Sequence, residues 1–155
     1  MTTRSKEQGA SSKGYRRVIA FRKADLLAKR AYALSKKVAK TDGWLASQLS
    51  RAAVSAPLNI VEGHGRGTTR DFLRFLETAS TSISEVEYLL EFMLDVEILT
   101  EADIAAIEPI RSEAAATLSG LIKALRNKAK QQPDWNRNGI SDGHEPYYAS
   151  EEHEG

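Results

Sequence analysis

The chain has 155 residues, with 22 Lys and Arg against 21 Asp and Glu, three His and no Cys. A chain of this size buries roughly 70% of its unfolded surface around one core, and the lack of Cys excludes disulfides, thiolate nucleophiles and Cys-ligated zinc or iron–sulfur clusters. The longest uncharged run, Ala52 to Val61, is ten residues where a membrane-spanning helix needs about 20, and no apolar run near the start reads as a secretory signal; a cytoplasmic protein with no membrane partner is expected.

Residues 1–14 are too polar to pack and predict a disordered arm. From Tyr15 onward, Ala20, Ala24, Leu27, Ala31, Leu34 and Val38 recur at steps of three and four, the stripe of an amphipathic helix. Asp42 is placed to cap a second helix along Leu45, Leu49, Ala52, Ala53, Ala56 and Ile60. Pro57 predicts a kink or step in it near Ala53 to Pro57, and Gly63, Gly65 and Gly67 predict its end. Thr68 with Asp71 opens a third helix on Phe72, Leu76, Ala79, Ile83, Val86, Leu90 and Met93. Thr100 with Asp103 opens a fourth on Ile104, Ile107, Ile110, Ala114, Leu118, Leu121 and Leu125, with Pro109 placed to displace its start. Four helices with short connections and no strand-like alternation predict an all-α fold, an antiparallel four-helix bundle over residues 15–130, followed by a polar and acidic tail over 131–155.

Charge is unevenly spread: residues 15–40 carry +8, 71–110 carry −9, 111–130 carry +4 and 131–155 carry −5. On the first helix the cations form doublets seven residues apart, Arg22 and Lys23, Lys29 and Arg30, Lys36 and Lys37, with Arg16 in register and Arg17 beside it. Seven residues are nearly two turns, so the doublets stack into a stripe at about 10 Å intervals, a spacing suited to a phosphate backbone. With Lys123 and Arg126 in the basic Arg111 to Lys130 region, these are the candidate nucleic-acid-binding residues. The competing reading is a solvated face, or one neutralised by the acidic third helix within a subunit or between subunits. No aromatic interleaving marks a base-stacking platform.

The second helix carries Gln48, Arg51, Ser55, Asn59 and Glu62 at helical spacing beside small residues that permit close helix approach. Buried polar groups must be paired, so such a seam would fix one register or one subunit arrangement; an Arg51 to Glu62 or Arg66 to Glu62 ion pair is expected. The order Gln48, Arg51-Ala52, Ser55, Asn59-Ile60, Glu62-Gly63 and Arg66, continuing through Phe72, Phe75-Leu76, Ala79, Ser82 and Glu85, with Phe21, Ala24 and Leu27 upstream, resembles the four-helix-bundle proteins encoded in intervening sequences of bacterial large-subunit ribosomal RNA genes. That family includes the accessory variability determinants of diversity-generating retroelements. The resemblance runs over about residues 15 to 126, with Thr81 standing where glycine is common. It implies a barrel-like homopentamer, no catalytic residues and, for the retroelement members, binding to a reverse transcriptase and its RNA or DNA–RNA hybrid.

Residues 134–145 fit a calcium-loop pattern, with ligands from Asp134, Asn136, Asn138, the Ile140 carbonyl, Asp142 and Glu145 and a turn at Gly139. Pro133 and Pro146 bracket it without flanking helices, so a weak calcium site is weighed against a polar extension that binds nothing; no cofactor is otherwise required. His64, His144 and His153 lack the spacing of a zinc site. The glycines around His64 lack the Lys-Ser/Thr of a P-loop, a Glu62 and His64 acid–base pair lacks a nucleophile, and Glu85, Glu87, Glu91 and Asp95 lack the Glu-x-x-His partner of a di-iron bundle. An oligomeric scaffold that binds nucleic acid and a pure protein-interaction module are the two function classes that remain.

Overall fold

The computed structural model describes residues 14–131, in which a 3-10 turn, Gly14–Arg17, leads into four α-helices. These are α1 (Ile19–Val38), α2 (Gly43–His64), α3 (Thr69–Asp95) and α4 (Glu101–Gln131), and no strand occurs among the described residues. Each helix packs along two others, α1 on α2 and α4, and α3 on α2 and α4, so the four close into a ring about one core. The predicted stripes supply that core. Leu27, Leu49, Ile60, Phe72, Leu76, Leu90, Met93, Leu118 and Leu125 are all buried, while Leu34, Ile104 and Ile110 pack at its margin.

Three connections of four or five residues reverse the chain, and each hands the next helix a cap. The Asp42 carboxylate accepts the Leu45 N–H at 2.9 Å, and the Thr68 hydroxyl accepts the Asp71 N–H at 3.2 Å. At α4 the capping is reciprocal: Thr100 Oγ1 accepts the Asp103 N–H at 3.2 Å, and the Asp103 carboxylate accepts the Thr100 N–H at 2.9 Å. This box starts α4 at Glu101, so Pro109 lies inside the helix and does not displace its start.

α2 runs through Pro57 as one helix, with Pro57 buried, where packing offsets the hydrogen bond that the ring denies to Ala53. One further sequence expectation needs correction. Gly63 is no helix breaker. It lies inside α2, buried, and the chain turns only from Gly65, whose φ of −73° is helical. Its purpose is proximity: a Cβ there would sit 2.6 Å from Cβ of Phe75 and 3.0 Å from the Phe72 ring. Glycine is what lets the end of α2 lie against the start of α3. The left-handed turn is made instead by Glu97, at φ 61°, in the connection between α3 and α4.

Candidate functional site

The antiparallel ring decides where the charges meet. Arg126 on α4 pairs with Glu77 on α3, Lys23 on α1 pairs with Glu113 on α4, and a Cβ on Gly14 would stand 3.3 Å from the His64 ring that ends α2. The starts of α1 and α3 therefore share one end of the bundle with the finishes of α2 and α4. That end collects Arg16, Arg17, Arg22 and Lys23 from the chain's entry and α1, Arg66 after α2, Arg70 and Arg74 from α3, and Lys123, Arg126, Lys128 and Lys130 from α4. Eleven cations thus face four carboxylates, Glu62, Asp71, Glu77 and Glu113, the partner of Lys23. Over residues 36–48 and 85–111, at the opposite end, nine carboxylates outnumber four cations. The bundle is polarised along its axis, roughly 40 Å for a helix of α3's length.

This geometry divides the predicted nucleic-acid residues. Arg16, Arg17, Arg22, Lys23, Lys123 and Arg126 gather at the basic end, whereas Lys29, Arg30, Lys36 and Lys37 run along α1 toward the acidic end. The α1 stripe is also partly neutralised. Lys23 reaches Glu113 at 2.7 Å and Lys37 reaches Asp103 at 2.6 Å, both across to α4, and Lys29 pairs with Asp25 on its own helix at 2.6 Å. The acidic third helix, the competitor expected from sequence, supplies none of these three carboxylates. Arg22 donates to the Arg16 carbonyl at 2.8 Å, and Arg30 is exposed with no carboxylate partner among the described residues.

Three cations lie over aromatic rings of the same chain. Arg16 lies over the Tyr15 ring at 5.8 Å, Lys36 over Tyr32 at 4.9 Å and Arg66 over Phe75 at 4.9 Å. Arg111 departs from the basic region altogether. Its guanidinium, with a side chain only 10% exposed, is forked onto Glu108 and lies 3.3 Å from Glu87 of α3. Hydrogen bonding to Arg111 holds the Glu108 carboxyl below its ordinary range, and the same bond raises the guanidinium's own affinity for its proton.

Asp103 is held low first by its hydrogen bond from Lys37 and then by the Thr100 N–H. A carboxylate depressed in the folded state adds stability above its unfolded value and loses it as pH falls through the folded one. Lys37→Met should therefore cost stability at pH 7 but converge on the parent protein in acid, as thermal melts between pH 7 and pH 2 would show. The pair is half exposed on the lysine side, so the cost should stay at or below about 1 kcal/mol.

The polar seam of α2 forms in part. Ser55 Oγ meets Ser82 Oγ of α3 at 2.9 Å, and the Asn59 amide donates back to the Ser55 carbonyl at 2.8 Å. Arg66 pairs with Glu62 at 2.9 Å, whereas Arg51 is exposed and makes no pair with Glu62. Gln48, Arg51, Ser55, Asn59 and Glu62 line an open groove of about 720 Å³. Tyr32, Val54, Leu58 and Leu89 complete it, with Leu58 59% exposed. The seam thus pins α2 to α3 through Ser55 and turns its remaining groups outward. Glu62 is held by Arg66, and the His64 ring lies edge-on to Phe72 at 5.9 Å.

Arg70 and Arg74 at the basic end escaped the sequence reading because only antiparallel pairing unites the start of α3 with the finish of α4. Counting charge by bundle end, instead of by segment, would have found them. Among the described residues no group of His, Asp and Glu is arranged to hold a metal, and no helix is long and apolar enough to cross a membrane. The calcium-loop residues Asp134, Asn136, Asn138, Ile140, Asp142 and Glu145 lie outside the described residues.

Fold and surface together define a four-helix bundle with a charged end and a partly apolar side groove. The chain belongs to the 23S rRNA-intervening sequence protein family, whose model matches residues 16–120. A solved structure from Bacteroides thetaiotaomicron, described as a protein with unknown function from the S23 ribosomal protein family, is similar at 25% identity. It superposes with a TM-score of 0.65 over 68% of this chain and 99% of that one. No curated protein matches the chain.

Proposed function

We propose that this chain is a non-catalytic, homo-oligomeric scaffold that binds nucleic acid, RNA above all, through the basic end of its bundle. The observation that carries the reading is the convergence there of eleven cations, from the entry turn, α1, the connection after α2, α3 and α4, against four carboxylates. Phosphates draw affinity from such a surface through counterion release, with little demand on sequence. The family's link to ribosomal RNA genes is consistent with an RNA ligand. Reverse transcriptase enters as a protein partner only through resemblance to the retroelement members.

Fluorescence anisotropy with a labelled single-stranded RNA tests the proposal. Binding should weaken steeply as salt rises, with a slope of log K on log salt near −0.7 per phosphate contacted. Absence of binding at low salt, or binding indifferent to salt, would leave the protein-interaction reading in its place.

Assembly is supported by the side groove, where Val54 and Leu58 of α2 stand exposed between Tyr32 of α1 and Leu89 of α3. Single apolar residues on a surface are ordinary, but a contiguous set flanked by polar groups marks an interface. The subunit number, five, follows the resemblance alone. Sedimentation velocity should give a mass several times the 17.1 kDa protomer, and Leu58→Glu should return it to one protomer while the helical circular dichroism is retained.

A further inference from the structure

Along α3, Asp71, Arg74, Thr78 and Thr81 follow one another at steps of three and four, with Phe75 beside Arg74, so they share one side of the helix. Together with Glu77 and with Arg66 from the connection after α2, they line an open groove of about 690 Å³ at the basic end. That volume falls within the roughly 300–1,000 Å³ of small-molecule sites. The groove shares no residue with the side groove on α2.

Its surfaces are of three chemical kinds. The Phe75 ring is partly buried, and the Arg66 guanidinium lies over it at 4.9 Å, steadied by Glu62 at 2.9 Å yet with a side chain 48% exposed. Arg74 is more open still, at 77%, and only Asp71 stands near it, at 3.7 Å. Oxygens supply the rest: the Thr78 and Thr81 hydroxyls donate to the Arg74 and Glu77 carbonyls at 3.1 Å, which leaves both as acceptors beside the Asp71 and Glu77 carboxylates.

We propose that this groove holds one unpaired nucleotide, its base against Phe75 and Arg66 and its phosphate on Arg74. Single-stranded RNA is recognised by stacking splayed bases on aromatic rings and guanidinium planes and by hydrogen bonds to their edges, and the groove offers each of these contacts. A bare phosphate would use the guanidiniums alone and be repelled by Asp71 and Glu77. A base turns those carboxylates to advantage, because its amino groups and the ribose hydroxyls donate to them. The source of the nucleotide, a single strand of RNA, rests on the function proposed above. A duplex keeps its bases stacked and paired, so it reaches the cations of the basic end without filling the groove.

Amide spectra of the nitrogen-15-labelled full-length protein, titrated with guanosine 5′-monophosphate, test the site directly, with ribose 5-phosphate as the probe that lacks a base. The nucleotide should shift residues 66–68 and 74–81 and saturate at a concentration about tenfold below that of ribose 5-phosphate. Phe75→Leu keeps the Cβ beside Gly63 but removes the ring, and should weaken the nucleotide by about fivefold or more, the low end for a base stacked on an aromatic side chain. Arg66→Gln, at an exposed position, should do the same and serves as the test if Phe75→Leu unfolds. Equal saturation by the two probes, or shifts centred on other residues, would overturn the proposal.

A second arm follows the anisotropy of a 20-nucleotide single-stranded RNA and of its duplex at low salt. Phe75→Leu should weaken the single strand by about fivefold or more and the duplex by less than about twofold, with both salt slopes unchanged because no charge is lost. Equal weakening of the two forms, or none of either, would remove the nucleotide site while leaving charge-driven binding of nucleic acid in place. Shifts by the mononucleotide with no binding of either RNA would reject the nucleic-acid function and leave the nucleotide site supported.

Discussion

Arg111→Ala is expected to destabilise the bundle by about 2 kcal/mol and to lower its melting temperature by roughly 8 °C. The guanidinium is the one charged group that the core margin buries among the described residues, and it is held by Glu108 on its own helix and Glu87 on α3. Removing it leaves two carboxylates facing one another, with Glu91 adding to the same field. Breaking a fully buried pair costs about 3–5 kcal/mol; here the glutamates are 44% and 41% exposed, so water recovers part of that loss. The acid limb provides a second check. Glu108 is depressed in the folded protein, so its contribution is present above the ordinary carboxylate range and disappears as pH falls through its folded value. Parent and variant should therefore draw together in acid, and Arg111→Lys, which keeps the charge but not the fork, should fall between them at neutral pH.

The second large effect belongs to Gly63. Gly63→Ala would place a Cβ 2.6 Å from Cβ of Phe75, an atom fixed to the α3 backbone, and 3.0 Å from the Phe72 ring. A methyl group that cannot be accommodated by a rotamer change forces α2 and α3 apart, a cost of about 1–3 kcal/mol for overpacking. Alanine's better helix propensity returns up to about 1 kcal/mol, so a net loss of about 1–2 kcal/mol is expected in chemical denaturation. Gly120 provides the opposite sign: it stands in α4 with nothing within 4 Å of its Cβ position, so Gly120→Ala should stabilise by up to about 1 kcal/mol. If both substitutions shifted stability in the same direction, the close approach of α2 to α3 at Gly63 would not be the constraint described.

How much of this was legible in the sequence depends on the range of the interaction. Local signals read well. The apolar stripes of α3, from Phe72 to Met93, and the caps at Asp42, Thr68 and Thr100 depend on residues three or four apart, and they fold as read. Gly63 misled because its local cost is overridden by packing: it answers to Phe75, twelve residues away on another helix.

The candidate site was legible residue by residue but not as a surface. The α1 doublets were visible, yet Lys23 and Lys37 are occupied by Glu113 and Asp103 of α4, contacts spanning 90 and 66 positions. Likewise, the 71–110 segment reads as a block of net negative charge, although its first charged residues, Asp71 and Arg74, lie at the basic end and its later Glu and Asp residues at the other. Segment charges are properties of the chain; end charges are properties of the topology.

The most direct measurement compares two triple substitutions of exposed cations that lack carboxylate partners among the described residues. One neutralises the basic end, Arg70→Gln, Lys123→Gln and Lys130→Gln; the other neutralises the acidic-end side of α1, Arg30→Gln, Lys36→Gln and Lys40→Gln. Anisotropy titrations of single-stranded RNA across a salt series give each protein's slope. The first set should flatten the slope by about 2, three contacts at about 0.7 each, and weaken binding at low salt, while the second leaves both near the parent values. The reverse pattern, with the slope lost along α1 and kept at the end of the bundle, would contradict the account.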